Sequence, residues 1–210
     1  YTLGALYEYS DQTRFGIGYR SQVKHKLKGD IKFEGLMLPA NQDISARITT
    51  PANLTIGAYH DINDKWSVMA EFGRTYWSSF DTLDIYGENN GKMSTTEERW
   101  KDTTFYAIGA SYQYNDQWKF RVGFAVDQSA VGQEYRTPRI PDSDRLWYSS
   151  GIEYKYNDDW TFNLGYTYIR ADKGKVKLLG YHDGDNARGS LQADYENDIH
   201  ILGFGASYNF

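Results

Sequence analysis

The 210-residue sequence contains no cysteine, which removes disulfide staples, thiolate catalysis and cysteine-based metal or redox centres. Proline is scarce, at four residues. No run of about 18 apolar residues occurs, so no segment can cross a membrane as a helix. Positive charge is not in excess: 23 Lys and Arg stand against 28 Asp and Glu, a net charge of −5 that argues against nucleic acid as the main partner. No window sustains a capped helical period, so almost no helix is expected. The histidines His25, His60, His182 and His200 lack metal-ligand spacing, and "HDGDN" (182–186) lacks the bidentate glutamate of a calcium loop. "GFGASYNF" sits in a terminal strand with no helix after it, which removes a phosphate-loop reading. With no nucleophile elbow either, no catalytic residue, metal site or cofactor is expected, and the chain does not read as an enzyme.

What is present is aromatic and alternating. Aromatic residues make up 17% of the chain, with 19 tyrosines. From Trp118, "WKFRVGFAV" sets Trp118, Phe120, Val122, Phe124 and Val126 on one face and Lys119, Arg121, Gly123 and Ala125 on the other. "WTFNLGYTY" from Trp160 and "ILGFGASYNF" at the end repeat the pattern. Period two is a strand signal. Mean hydropathy is −0.70, the value of a soluble protein. A transmembrane β-barrel is the exception, because its strands alternate lipid-facing and lumen-facing residues.

The connections alternate too. "SDQT" (10–13), "NDK" (63–65), "NDQ" (115–117) and "NDD" (157–159) are short turns built from Asn, Asp and Ser. Between them lie long polar connections near 35–45, 87–102, 128–143 and 173–196. Short periplasmic turns and long extracellular loops are the pattern of an outer-membrane barrel. Nine strands are predicted, near 2–9, 13–33, 46–61, 66–86, 101–114, 118–128, 144–156, 160–172 and 197–210. In such a count the first and last strands run the same way and cannot close as an antiparallel pair. An odd number of strands is therefore expected upstream, in keeping with a chain that opens inside a strand pattern. At the short-turn end Trp66, Trp118 and Trp160 begin strands, while Tyr114 and Tyr156 end them. Trp and Tyr favour the membrane–water interface, so these five are predicted to form the periplasmic aromatic girdle.

Four stretches, "GIGYRSQVKHKLKG" (16–29), "WSVMAEFGRTYWSSFDTL" (66–83), "WKDTTFYAIGASYQYNDQWKFRVGFAVDQS" (100–129) and "IPDSDRLWYSSGIEYKYN" (140–157), resemble the FadL family. These are long-chain fatty acid transporters of the Gram-negative outer membrane, with aromatic-hydrocarbon transporters among them. The resemblance implies an all-β, transmembrane, antiparallel up-and-down barrel of fourteen strands, of which nine are present. Fourteen less nine is five, an odd number. It also implies that residues 1–210 are the C-terminal portion of one barrel domain, that an N-terminal hatch lies outside them, and that substrates pass the plugged barrel by passive diffusion. The alternative is a non-transporting, adhesin-like barrel whose loops bind external ligands. Expected partners are outer-membrane lipid and lipopolysaccharide, a long-chain fatty acid or other hydrophobic ligand whose place a detergent could take, and the upstream part of the same barrel.

A fatty acid needs an apolar path for its tail and a cation for its carboxylate. Alternation turns Arg14, Arg20, Gln22, Lys24, Lys26 and Lys28 inward on the second strand, opposite Phe15, Ile17, Tyr19 and Val23. It also turns Arg121, Arg145, Trp147, Glu153 and Lys155 inward. Arg20, Lys24, Arg121 and Arg145 are the candidate substrate-binding lumen cations; structural pairing with lumen acids is the competing role for each. In the family a loop lysine contacts the head group just before the stretch matching "WKD" (100–102). Thr96 takes that position here, with Lys92, Arg99 and Lys101 as neighbouring cations. Arg74 is a misfit: alternation points it at lipid, so either it lies at the outer interface or a bulge turns it inward.

Overall fold

The structure is a computed structural model and describes residues 1–32, 42–88, 91–179 and 189–210. One antiparallel sheet dominates it. Nine strands follow one another in chain order: β1 (Thr2–Ser10), β2 (Thr13–Arg20), β5 (Asn53–Asp61), β6 (Trp66–Thr75), β9 (Thr103–Gln113), β10 (Trp118–Asp127), β11 (Arg145–Lys155), β12 (Trp160–Ala171) and β15 (Asp198–Tyr208). The six remaining strands extend the long connections. They are β3 (Val23–Ile31), β4 (Gln42–Thr50), β7 (Thr82–Tyr86), β8 (Lys92–Glu97), β13 (Gly174–Leu178) and β14 (Leu191–Tyr195). β3, β4, β7 and β8 form a second sheet in that order, and β13 pairs with β14. The sheet does not close: β1 and β15 are its edges, and alternation over nine strands leaves them running the same way.

The register fixes the faces. One row of cross-strand partners reads Phe15–Ala58–Ala70–Ile108–Phe124–Tyr148–Tyr168–His200. A row of the opposite face reads Arg14–Tyr59–Met69–Gly109–Gly123–Ser149–Thr167. The apolar face is bare even in mid-sheet, where Ile108 is 64% and Val122 61% exposed. Water would not tolerate so broad an apolar surface, whereas lipid would. Among the described residues, packed core is found at the long-loop end. There Ala130 and Val131, from the connection after β10, are buried, as are Ile169, Val176 and Leu178.

Three strands expected to be continuous are broken. The predicted strand 13–33 splits at Ser21–Gln22 and the strand 46–61 splits at Pro51–Ala52, although the register carries through from Arg20↔Asn53 to Val23↔Thr50. The Ala52 carbonyl accepts the Tyr76 amide, so residue 51 faces the other way, towards Gln22. Pro51 has no N–H to give there, and the ladder lapses. The strand 66–86 breaks at Tyr76–Asp81, around the 3-10 turn Trp77–Ser79. Beyond it the pairing slips by one residue, from Thr75↔Thr103 to Thr82↔Glu97. The slip is a bulge in which the Glu98 and Arg99 amides both donate to the Asp81 carbonyl, with Arg99 at φ 41°. Of the loops predicted near 35–45 and 173–196, residues 33–41 and 180–188, with "HDGDN" and His182, lie outside the described residues. The rest of these connections is largely strand.

Candidate lumen site

The short-turn end repeats one device three times. The Asn63 side-chain oxygen accepts the amides of Lys65 and Trp66, both at 2.9 Å. Asn115 does the same for Gln117 (3.0 Å) and Trp118 (2.9 Å), and Asn157 for Asp159 (3.1 Å) and Trp160 (2.7 Å). Each turn launches its tryptophan onto the apolar face, against the tyrosine opposite on the next strand. The centroid distances are 4.6 Å for Trp66–Tyr112, 4.4 Å for Trp118–Tyr154 and 4.9 Å for Trp160–Tyr208. Tyr114 and Tyr156 stand at the strand ends beside them, largely exposed. A second aromatic group was not anticipated from the sequence. Tyr148, Tyr168 and His200 share a row on the same face, with Tyr168 eight residues beyond Trp160, about 26 Å along the strand. Tyr166 and His200 Nδ1 are hydrogen-bonded at 2.7 Å. Alternation held the signal for this second belt, since Tyr148, Tyr166 and Tyr168 fall on the tryptophan face.

The opposite, concave face carries the candidate site. A cavity of about 610 Å³ is lined by Arg14, Tyr59, Met69, Glu71, Arg121 and Ser149, among others. The Arg14 guanidinium lies over the Tyr59 ring, 4.3 Å from its centroid. Arg121 is ion-paired with Glu153 and donates to Asn163 Oδ1 at 3.3 Å. Around Met69 the wall is low. At Gly109 a Cβ would come within 3.1 Å of Met69 and 3.3 Å of the Val122 carbonyl. Towards the long-loop end the wall turns apolar through Ala107, Ala125, Ile169 and Phe105, which meets Trp147 edge-on at 6.4 Å. The Trp147 indole nitrogen is buried without a hydrogen-bond partner among the described residues.

Arg145 closes that stretch. It binds Asp127 through Nε (3.0 Å) and Nη2 (2.8 Å) and pairs with Asp142 through Nη1. Asp142 also accepts the Ser129 hydroxyl (2.8 Å), and Asp144 accepts the Ser129 amide (2.7 Å). The "IPDSDR" motif therefore folds its own loop onto β10. Arg145 faces Asp127, six residues from Arg121, so the two arginines stand about 20 Å apart along the strand.

The four predicted cations are not brought together. Arg121 and Arg145 share the concave wall, but both are engaged with acids. Arg20 ends β2 on the concave face, exposed beside Asn53. Lys24 lies past the break, on β3 at the edge of the second sheet. Arg14, inward by alternation but not singled out, is the cation that shares the cavity with Arg121, and it makes no ion pair among the described residues. Of the loop cations, Lys92 pairs with Asp84 at 3.1 Å and Arg99 with Glu97 at 3.1 Å. Arg74 is on the apolar face without a bulge in its strand. It donates to Thr104 at 2.9 Å and meets Asp102 at 3.6 Å, near the strand's end.

The chain is 29% identical over 222 residues to a long-chain fatty acid transport protein of Escherichia coli O6:H1 (strain CFT073), covering 99% of this chain and 48% of that protein. It is 30% identical over 155 residues to the protein of the same description from strain K12, covering 68% of this chain and 35% of that one. The chain thus spans half or less of the length of these curated relatives. Among solved structures, a Pseudomonas aeruginosa FadL homologue superposes with a TM-score of 0.88 at 26% identity, over 99% of this chain and 51% of that one. The family described as outer membrane protein transport protein (OMPP1/FadL/TodX) matches across residues 1–210, and the chain belongs to it.

Proposed function

We propose that these nine strands form the C-terminal part of an outer-membrane channel for hydrophobic compounds, long-chain fatty acids first among them. Passage is passive diffusion along the concave wall of a plugged barrel, with the short turns periplasmic and the long hairpins extracellular. The observation that carries this reading is the layout of that wall. Met69, Ala107, Ala125, Phe105 and Trp147 line a largely apolar path that begins beside Arg14 and Arg121 and ends at Arg145. An alkyl tail lies along the apolar stretch while its carboxylate meets a cation. Arg14 takes that role, because Arg121 and Arg145 are already neutralised by acids. Named relatives that transport long-chain fatty acids support this choice of substrate.

The test is oleate import by a deletion strain complemented with the full-length protein, paired with binding of oleate and of an alkane of equal length. Deletion is expected to abolish import. Arg14→Gln is expected to weaken oleate binding about tenfold, roughly 1.4 kcal/mol, and to leave the alkane unaffected. Normal import by the deletion strain would sink the transport reading in favour of a barrel whose loops bind external ligands.

A further inference from the structure

The connection between β10 and β11 closes on β13 around a guanidinium that has no acid partner among the described residues. Arg136 is 8% exposed. Its Nε donates to the Asp142 carbonyl at 2.7 Å, Nη1 to the Lys175 carbonyl at 2.9 Å and Nη2 to the Val131 carbonyl at 3.5 Å. Its stem packs on Gly174, where a Cβ would sit 3.7 Å away. Of the acids near it in sequence, Asp142 is engaged with Arg145 and Ser129, and Asp144 with the Ser129 amide. Among the described residues no carboxylate forms an ion pair with Arg136. A guanidinium has five donors, and the carbonyls take three. Carbonyl dipoles ease the burial of this cation but do not neutralise it, and an uncompensated buried charge is destabilising.

Arg136 also lines a polar cavity of about 470 Å³, with Lys101, Lys173 and Lys175 on its walls and Asp144 and Asp172 beside them. Lys173 is paired with Glu196. Lys101 and Lys175 make no ion pair among the described residues. Of the cavity's own lining residues, four are cations and two, Asp144 and Asp172, are acids.

We propose that this cavity binds a phosphate-type oxyanion, with Arg136 as the planar fork and Lys101 and Lys175 as point charges. Cations on separate walls suit a tetrahedral group with several acceptor oxygens better than a flat carboxylate. The cavity lies at the long-loop end, beyond the row of Tyr148, Tyr168 and His200. On the orientation proposed above, that is the level of outer-leaflet head groups. The phosphates of lipopolysaccharide are thus one source of the anion and free phosphate the other. Only the lipid source rests on that orientation.

The purified full-length protein in detergent is titrated with inorganic phosphate by calorimetry. In parallel it is exposed to lipopolysaccharide and to its dephosphorylated form, with retention read by native mass spectrometry. Lys101→Ala with Lys175→Ala leaves the folding contacts of Arg136 in place, since Lys175 contributes only its carbonyl. Saturable phosphate binding that falls at least tenfold in the double variant is the expected result, and Arg136→Lys, which keeps the charge but loses the fork, weakens it also. Retention of the phosphorylated lipid alone identifies the lipid as the source; equal retention of both forms identifies free phosphate. The site is refuted if neither probe binds saturably, or if the double variant binds phosphate as tightly as the parent. None of these readouts depends on transport, so the channel reading stands or falls separately.

Discussion

At the scale of the residue, side-chain acceptors settle the turns. The three asparagines at 63, 115 and 157 each hold two amides that the turn leaves without backbone partners. Asn115→Ala is expected to cost about 1 kcal/mol, because water replaces part of what is lost at an exposed turn. Asn115→Asp, which keeps the acceptor, is expected to cost less. The urea midpoint of the full-length protein in detergent measures both. A second residue-scale effect lies in the β7–β8 hairpin, where hydrogen bonding from the Thr95 hydroxyl (2.8 Å), followed by Lys92, holds Asp84 below its ordinary value of 3.8. A carboxylate with a depressed folded pKa stabilises above its unfolded value and loses that contribution as pH falls through the folded one. The hairpin is therefore expected to loosen below about pH 4, with faster amide exchange at Thr82–Tyr86 while the nine-stranded sheet stays protected. Thr95→Val, which removes the largest cause, should move the loosening to higher pH; an unchanged profile would mean that Asp84 does not hold the hairpin.

At the scale of the element, the register shows what alternation could and could not carry. Period two placed Arg14, Arg121, Arg145, Trp147 and Glu153 on the concave face, and the ladder puts them there. It could not show that Arg121 faces Glu153 and Asn163, or that Arg145 faces Asp127, because cross-strand partners depend on turn length and not on strand pattern. Strand ends were hidden for a similar reason. The break at Tyr76–Asp81 is set by Trp77, Phe80 and Trp100, which pack edge-on at 4.9 Å from two distant segments. Pro51 was visible, but its effect depends on which way residue 51 faces, and that follows from Tyr76 donating to Ala52. Pro51→Val is expected to supply the missing N–H to Gln22 and join β2 to β3 and β4 to β5. In hydrogen exchange of the full-length protein, the new amide at 51 should be protected to the degree of its neighbours. Rapid exchange there would mean that the kink has another cause.

At the scale of the whole molecule, strand parity governs assembly. β1 and β15 are both open edges, and Leu3, Leu6, Leu202 and Phe204 on them are 63–74% exposed. Because these edges run the same way, they cannot join each other antiparallel. A second copy in the same membrane orientation meets the same obstacle, since its β1 is parallel to the first copy's β15. Only an odd number of further strands resolves the direction. Residues 1–210 produced alone are therefore expected to aggregate through their free edges and to show no heat-modifiable band on gel electrophoresis in detergent. Co-expression with a separate segment that carries an odd number of upstream strands should restore the band, and an even number should not. A heat-modifiable barrel from residues 1–210 alone would overturn the parity argument, because a same-orientation assembly would then contain a parallel seam.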